Sequence, residues 1–260
     1  AADDRYERAV REAIESGGGV VGAGVNSRAR RAGRAVGRAV GAADVDRGAL
    51  LVATKGGFVP FDGDRPDDAA AYVREEWFDP GYASPEEMVR GNCLAPRFLD
   101  RSLDRSLENL GLETVDCYYV HNPETQLEER DRGAVYDLLE DAFVRLEERR
   151  EAGDLRYYGV ATWECFRVPE GHPNYLSLPE VVRRARAASD RAGTTATGFR
   201  AVQLPFNVHM ADAFTREAHP GPDGPQSALA FADGAGLSVF ASAPLKQGEL
   251  AREGAIPGEV

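Results

Sequence analysis

Lysine is almost missing from this chain. Of its 31 basic residues only Lys55 and Lys246 are lysine, and arginine supplies the rest. Cysteine is nearly as scarce. Cys93, Cys117 and Cys165 are odd in number and far apart, which excludes a disulfide framework and a Cys-x-x-Cys metal site and predicts a reduced, cytoplasmic protein. The four histidines lack ligand spacing, so no metal site is expected, and His172, His209 and His219, in polar loop contexts, read as surface residues. No apolar run approaches membrane-spanning length. The first residues lack the basic, apolar, small-residue order of a signal peptide. Excess positive charge is absent too: the net charge is −12, with acidic residues spread along the chain. That excludes nucleic acid or an anionic membrane as the main partner. Acidity with arginine in place of lysine fits a salt-adapted host and a GC-rich genome equally well.

What is present has globular proportions, with 43% hydrophobic and 28% charged residues in 260. No linker or composition break divides the chain, so residues 1–260 read as one domain. The most informative stretch is Leu50-Leu51-Val52-Ala53-Thr54-Lys55-Gly56-Gly57. It reads as a short buried strand that delivers an amine at its end and then turns. A run buried on both faces suits a parallel strand, and parallel α/β folds build their sites at such strand ends.

Around it, helices and strands alternate. A helix capped by Asp3 or Asp4 carries Tyr6, Val10, Ala13 and Ile14 inward and stops at Gly17. Val20-Val21 is a short strand, followed by Gly22 to Ser27 and a basic, Ala-rich helix over 29–40. Residues 56–95, with four prolines, are expected to be irregular, and a loop of that length is functional or mobile. Pro96 starts a helix that Gly111 closes. Strands follow at 115–121, 155–162, 199–204 and 237–242, with helices around 135–146, 179–192 and 226–233. Six strands joined through helices mean a parallel sheet. Residues of chemical interest recur at successive strand ends (Lys55, His121, Thr162, Gln203 and Ser242), which favours a (β/α)8 TIM barrel over a doubly wound sheet with one switch point. Gly22-Ala23-Gly24 does not complete a dinucleotide fingerprint, because Ser27 stands where the third glycine belongs. His121, at a strand end before Asn122-Pro123, pairs with Lys55 as a candidate carbonyl-polarising couple.

The ordered set of motifs resembles the aldo-keto reductase family. It consists of Leu51-Val52-Ala53-Thr54-Lys55; Ser102 to Gly111 leading into Val115-Asp116-Cys117-Tyr118-Tyr119-Val120-His121-Asn122-Pro123; Gly153 to Thr162; Val202-Gln203-Leu204-Pro205-Phe206-Asn207; and Ala243-Pro244-Leu245-Lys246-Gln247-Gly248-Glu249-Leu250. The resemblance covers nearly the whole chain. It implies a TIM barrel that binds NADP(H), or NAD(H), without a Rossmann fold and transfers hydride to a small-molecule aldehyde or ketone. It implies that Lys55 acidifies a catalytic tyrosine and that His121 orients the carbonyl. Gln203 would hold the carboxamide with Thr162 beside it, and Ser242, Pro244, Leu245 and Gly248 would complete the cofactor site.

Two departures accompany it. Gly22 stands where the family has an aspartate, and Ser27 where it has the tyrosine that acts as general acid. A catalytically silent nucleotide-binding or regulatory protein is therefore the second reading, and a Schiff-base aldolase using Lys55 alone is the third. Against the family the chain also lacks the first and last strands, so a fragment of a longer parent is expected. Trp163, Phe166, Tyr82 and Trp77 read equally as pocket or packing residues. Substrate identity and oligomeric state are not legible.

Overall fold

A computed structural model describes residues 2–252 and Gly254. Six strands, β1 (Val20–Gly24), β2 (Leu51–Gly56), β3 (Val115–His121), β4 (Leu155–Ala161), β5 (Phe199–Pro205) and β6 (Ser238–Ser242), form one sheet in sequence order. Every neighbouring pair is parallel. Helix α1 (Ala2–Glu15) precedes β1, and α2 (Arg31–Ala42), α4 (Pro96–Leu110), α5 (Arg132–Ala152), α6 (Leu178–Ala192) and α8 (Ala228–Gly234) carry the crossovers. Two short ones, α3 (Ala69–Val73) and α7 (Asp212–Thr215), lie within loops.

Local chemistry sets these boundaries. Pro96 opens α4, where a missing N–H costs nothing, and Gly111 closes it in the left-handed region at φ 63°. Asp131 caps α5 by accepting the Ala134 N–H at 2.8 Å, and Gly153 ends that helix at φ 90°. Asp3 and Asp4 lie inside the first turn of α1 rather than before it, where they still favour the positive end of the helix dipole.

The sheet has a core on each face. The larger one, between strands and helices, is built from residues such as Val52, Leu99, Leu103, Tyr118, Val120, Leu139, Phe143 and Val160. The smaller one, on the concave face, contains Ala53, Cys117, Tyr119, Ala161 and Ala201 with Leu51 and Phe240 against it. The Tyr119 and Phe240 rings meet edge-on at 6.3 Å although their strands, β3 and β6, are not neighbours. In a flat sheet three strand spacings would separate them by ~14 Å. The sheet is therefore curled, six strands of a (β/α)8 barrel in the expected order.

Three further expectations need correction. β1 does not stop at Val21 but pairs through Gly24, which lies beside Lys55. Residues 56–95 are not wholly irregular: α3 continues into a π turn over Arg74–Phe78, and a 3-10 turn spans Pro85–Glu87. His219 is fully buried rather than on the surface. Its ring stacks on Tyr175, and its Nε2 lies 3.0 Å from the Phe166 carbonyl oxygen. Polar neighbours in sequence hid a histidine whose hydrogen bonds are all made in space. Trp77 and Phe166 are core residues, Trp77 lying 4.3 Å from the Phe98 ring, centroid to centroid.

Gly159 marks the tightest packing in the sheet. It sits at an irregularity in the β4–β5 pairing, and a Cβ there would fall 1.9 Å from the Ala201 carbonyl oxygen. The obstacle is backbone, so relief requires separating two paired strands. Gly159→Ala should lower unfolding free energy by about 1–3 kcal/mol, as overpacked sites do, in a urea titration.

Candidate active site

The mouth lies at the C-terminal ends of the strands, where β2, β3 and β5 each present one polar side chain. Register places Lys55 opposite Gly24 on one side and Tyr119 on the other. Gly24 has no side chain to fill the space beside the lysine, and a Cβ there would lie 3.0 Å from the Lys55 Cγ. The amine crosses the mouth and donates to Gln203 Oε1 at 2.8 Å. No carboxylate pairs with Lys55 among the described residues. Burial without a counter-charge lowers its pKa from the usual 10.5. An isolated buried cation is costly, so its proton is held less tightly than in water.

His121 ends β3. Its pKa is depressed to about 3, first by burial and then by the nearby Lys55 cation. The imidazole is therefore neutral at ordinary pH. Its Nδ1 is buried without a hydrogen-bond partner among the described residues. The chain around it is pinned from two sides. Asn92 Nδ2 donates to the His121 carbonyl oxygen at 3.0 Å, and the Phe58 ring meets the imidazole edge-on at 5.3 Å. Gly57, at φ 145°, packs against the His121 backbone so closely that a Cβ would fall 2.7 Å from its carbonyl oxygen.

The sequence-predicted residues are thus divided. Lys55 and Gln203 meet, and His121 ends the neighbouring strand close enough for the Lys55 charge to act on it, outside the lining of their cleft. Thr162 lies just beyond β4, where its hydroxyl is already engaged, donating to Glu124 Oε1 at 2.8 Å and accepting the Glu164 and Cys165 N–H groups at 3.1 and 2.9 Å. Ser242 ends β6 half-buried, and its carbonyl accepts the Phe206 N–H at 3.2 Å. Pro244, Leu245 and Gly248 form an exposed turn beyond it, tightened by positive φ at Ala243, Lys246 and Gly248. Asn207 Nδ2 anchors that turn by donating to the Ala243 carbonyl at 3.0 Å.

Two residues escaped sequence reasoning. Tyr119 lines the same cleft as Lys55, and its hydroxyl is buried. Its position two residues before His121 puts it on the same strand face, a signal that was available. Glu124 is almost fully buried, and its Oε1 collects the Thr162 hydroxyl and the Trp163 and Glu164 N–H groups. It ties the loop after β3 to the loop after β4. Nothing in the local sequence distinguishes it from a surface glutamate.

The sequence model of the aldo/keto reductase family matches residues 4–171, most of the chain. This chain belongs to the aldo/keto reductase family. No curated protein matches it. Among solved structures it is similar to the glycerol dehydrogenase of Gluconobacter oxydans, at 16% identity and a TM-score of 0.61, covering 100% of this chain and 61% of that one. An aldo-keto reductase from Bacillus halodurans gives 16% identity and a TM-score of 0.59, over 98% of this chain and 62% of the other. A thermostable aldo-keto reductase solved with the inhibitor epalrestat gives 17% and 0.58, over 95% and 63%. This chain spans just over three fifths of the length of each, and at such identities the likeness is one of fold. No helix among the described residues is long and apolar enough to cross a membrane.

Histidine ionisation predicts how stability depends on pH. The folded pKa of His121 is about 3 against 6.5 when unfolded, so its contribution is complete above pH 6.5 and lost as pH falls below it. Glu124, whose pKa burial raises, acts in the opposite direction. The urea midpoint should fall between pH 7 and pH 5, and fall less in His121→Gln.

Proposed function

We propose that this chain binds NADP(H), or NAD(H), and reduces a small aldehyde or ketone, with Lys55 and His121 at the carbonyl. The observation that carries this reading is the hydrogen bond between Lys55 and Gln203, from strands that are not neighbours, at the mouth where β3 ends in His121. Family membership supports the same chemistry. The residues fit the nicotinamide end of such a cofactor: Gln203 offers an amide beside Lys55, and the His121 Nδ1 has a hydrogen-bonding position to fill. The exposed turn at Pro244, Leu245 and Gly248, with Ser242 and Thr162 before it, would hold the rest.

The cofactor supplies hydride when bound. The carbonyl π bond then breaks towards oxygen, and the alkoxide needs a proton. In this reading Gly22 and Ser27 occupy the positions of the family's aspartate and tyrosine. Ser27 lines the cleft, but a serine hydroxyl is a poor acid. The Lys55 ammonium is the better donor, because burial has already weakened its hold on the proton. After transfer it remains as a neutral amine that solvent reprotonates. Neutral His121 orients the carbonyl oxygen through its ring and keeps a second positive charge out of the mouth. Binding of cofactor without turnover would instead select the silent, regulatory reading that the replacements at Gly22 and Ser27 favour.

Cofactor binding and aldehyde-dependent NADPH oxidation should be measured separately. Lys55→Met should slow oxidation by about 100- to 10,000-fold, the usual worth of a general acid, while binding persists. The rate should decline as pH rises, with a midpoint below the 10.5 of a free lysine, since only the ammonium can donate. Gly22→Asp with Ser27→Tyr should raise the rate. A Cβ at position 22 meets nothing closer than the Ala53 oxygen at 3.6 Å, so the added side chain has room.

A further inference from the structure

Beside the Lys55 cleft lies a larger one. Its volume is about 630 Å³, against about 150 Å³ at Lys55. The smaller space takes a reacting carbonyl and its nearest substituents, so the body of a larger substrate must lie elsewhere. The larger space falls within the range of small-molecule sites, roughly 300–1,000 Å³. Its walls are Phe58, Val59, Phe61, Val73, Phe78 and Met88. All come from the long region after β2.

Two contacts relate the larger cleft to the mouth. Phe58 is the residue whose ring meets His121. Asn26 lines the larger cleft, and its Oδ1 lies 2.9 Å from the Cβ position of Gly24, which the Lys55 stem also crowds. The larger cleft therefore opens next to His121 and, through Asn26, next to the Lys55 stem.

The charge of the lining is unexpected. The chain carries 43 acidic residues against 31 basic ones. Yet among the described residues the charged side chains of this cleft are Arg65 and Arg90, with no carboxylate. Arg90 is held by Glu128 at 2.6 Å. Arg65 stands 5.9 Å from the Phe61 ring centroid and makes no ion pair among the described residues. The neighbouring Asp62 and Asp64 are already tied to Arg30, Arg34 and Arg31 on the other side of the loop. An aromatic trough thus ends at a cation free to take an anion.

We propose that this cleft binds the body of the substrate, and that the substrate is an aromatic carbonyl compound bearing a carboxylate, its rings on the phenylalanine walls and its carboxylate on Arg65. The substrate assignment rests on the reductase reading of Lys55 and His121; the binding site does not.

Calorimetric titration of the chain with naphthalene-2-carboxylate and with neutral 2-naphthalenemethanol tests it without turnover. The carboxylate should bind about fivefold more tightly, the upper end of what one exposed ion pair gives. Arg65→Gln, an exposed position, should remove that preference, and Val73→Trp should abolish the heat of both ligands. Equal affinities, a preference unchanged in Arg65→Gln, or no binding at all would overturn the cleft assignment. NADPH oxidation with 4-carboxybenzaldehyde and with propanal separates the two readings. Naphthoate binding that meets these expectations, with neither aldehyde reduced, upholds the cleft and removes the reductase reading. Reduction of propanal by a protein that does not bind naphthoate upholds the reductase and removes the cleft.

Discussion

The hydrogen bond from Lys55 to Gln203 joins strands that two others separate. A side chain of β2 reaches one of β5 only because the sheet curls, bringing strand ends that would be ~14 Å apart in a flat sheet within side-chain reach. The same curvature brings Tyr119 against Phe240. Small residues on the concave face permit it. Gly24, Ala53, Gly159, Ala161 and Ala201 leave the interior narrow enough for a few large side chains to fill. Adding bulk there would push the strands apart and separate the polar groups at the mouth.

Electrostatics at the mouth follow from that enclosure. A lone ammonium is kept from water with an amide oxygen as its partner and no carboxylate to balance it. The cost falls on the protonated form, which lowers the pKa of Lys55, while burial first and the Lys55 charge second keep His121 neutral. One group therefore holds the proton and its neighbour does not. Glu124 contributes at one remove, by fixing the turn that follows His121 to the turn that follows β4.

Most helix and strand positions were legible, because capping residues, glycine stops and apolar runs are local signals. Pro96 and Gly111 bound α4, and Asp131 and Gly153 bound α5, without help from the rest of the fold. Elements without such a signal were missed. β1 extends through Gly24 because β2 offers it partners, although glycine disfavours strands in isolation. The helical turns of 69–78 lie in a stretch rich in proline and acid that reads as a loop. His219 and Glu124 look like surface residues until their partners, tens of positions away, surround them.

The sequence by itself determined the alternation of helices and strands, the strand-end places of Lys55, His121 and Gln203, and the family to which they point. Periodicity, caps and motif order act over a few residues and survive being read along a line. Only the tertiary structure decided that Lys55 touches Gln203 rather than an acid, that the Thr162 hydroxyl is engaged by Glu124, and that an apolar cleft with two guanidinium groups opens beside His121. Those facts depend on curvature and burial, which arise when distant segments share one space.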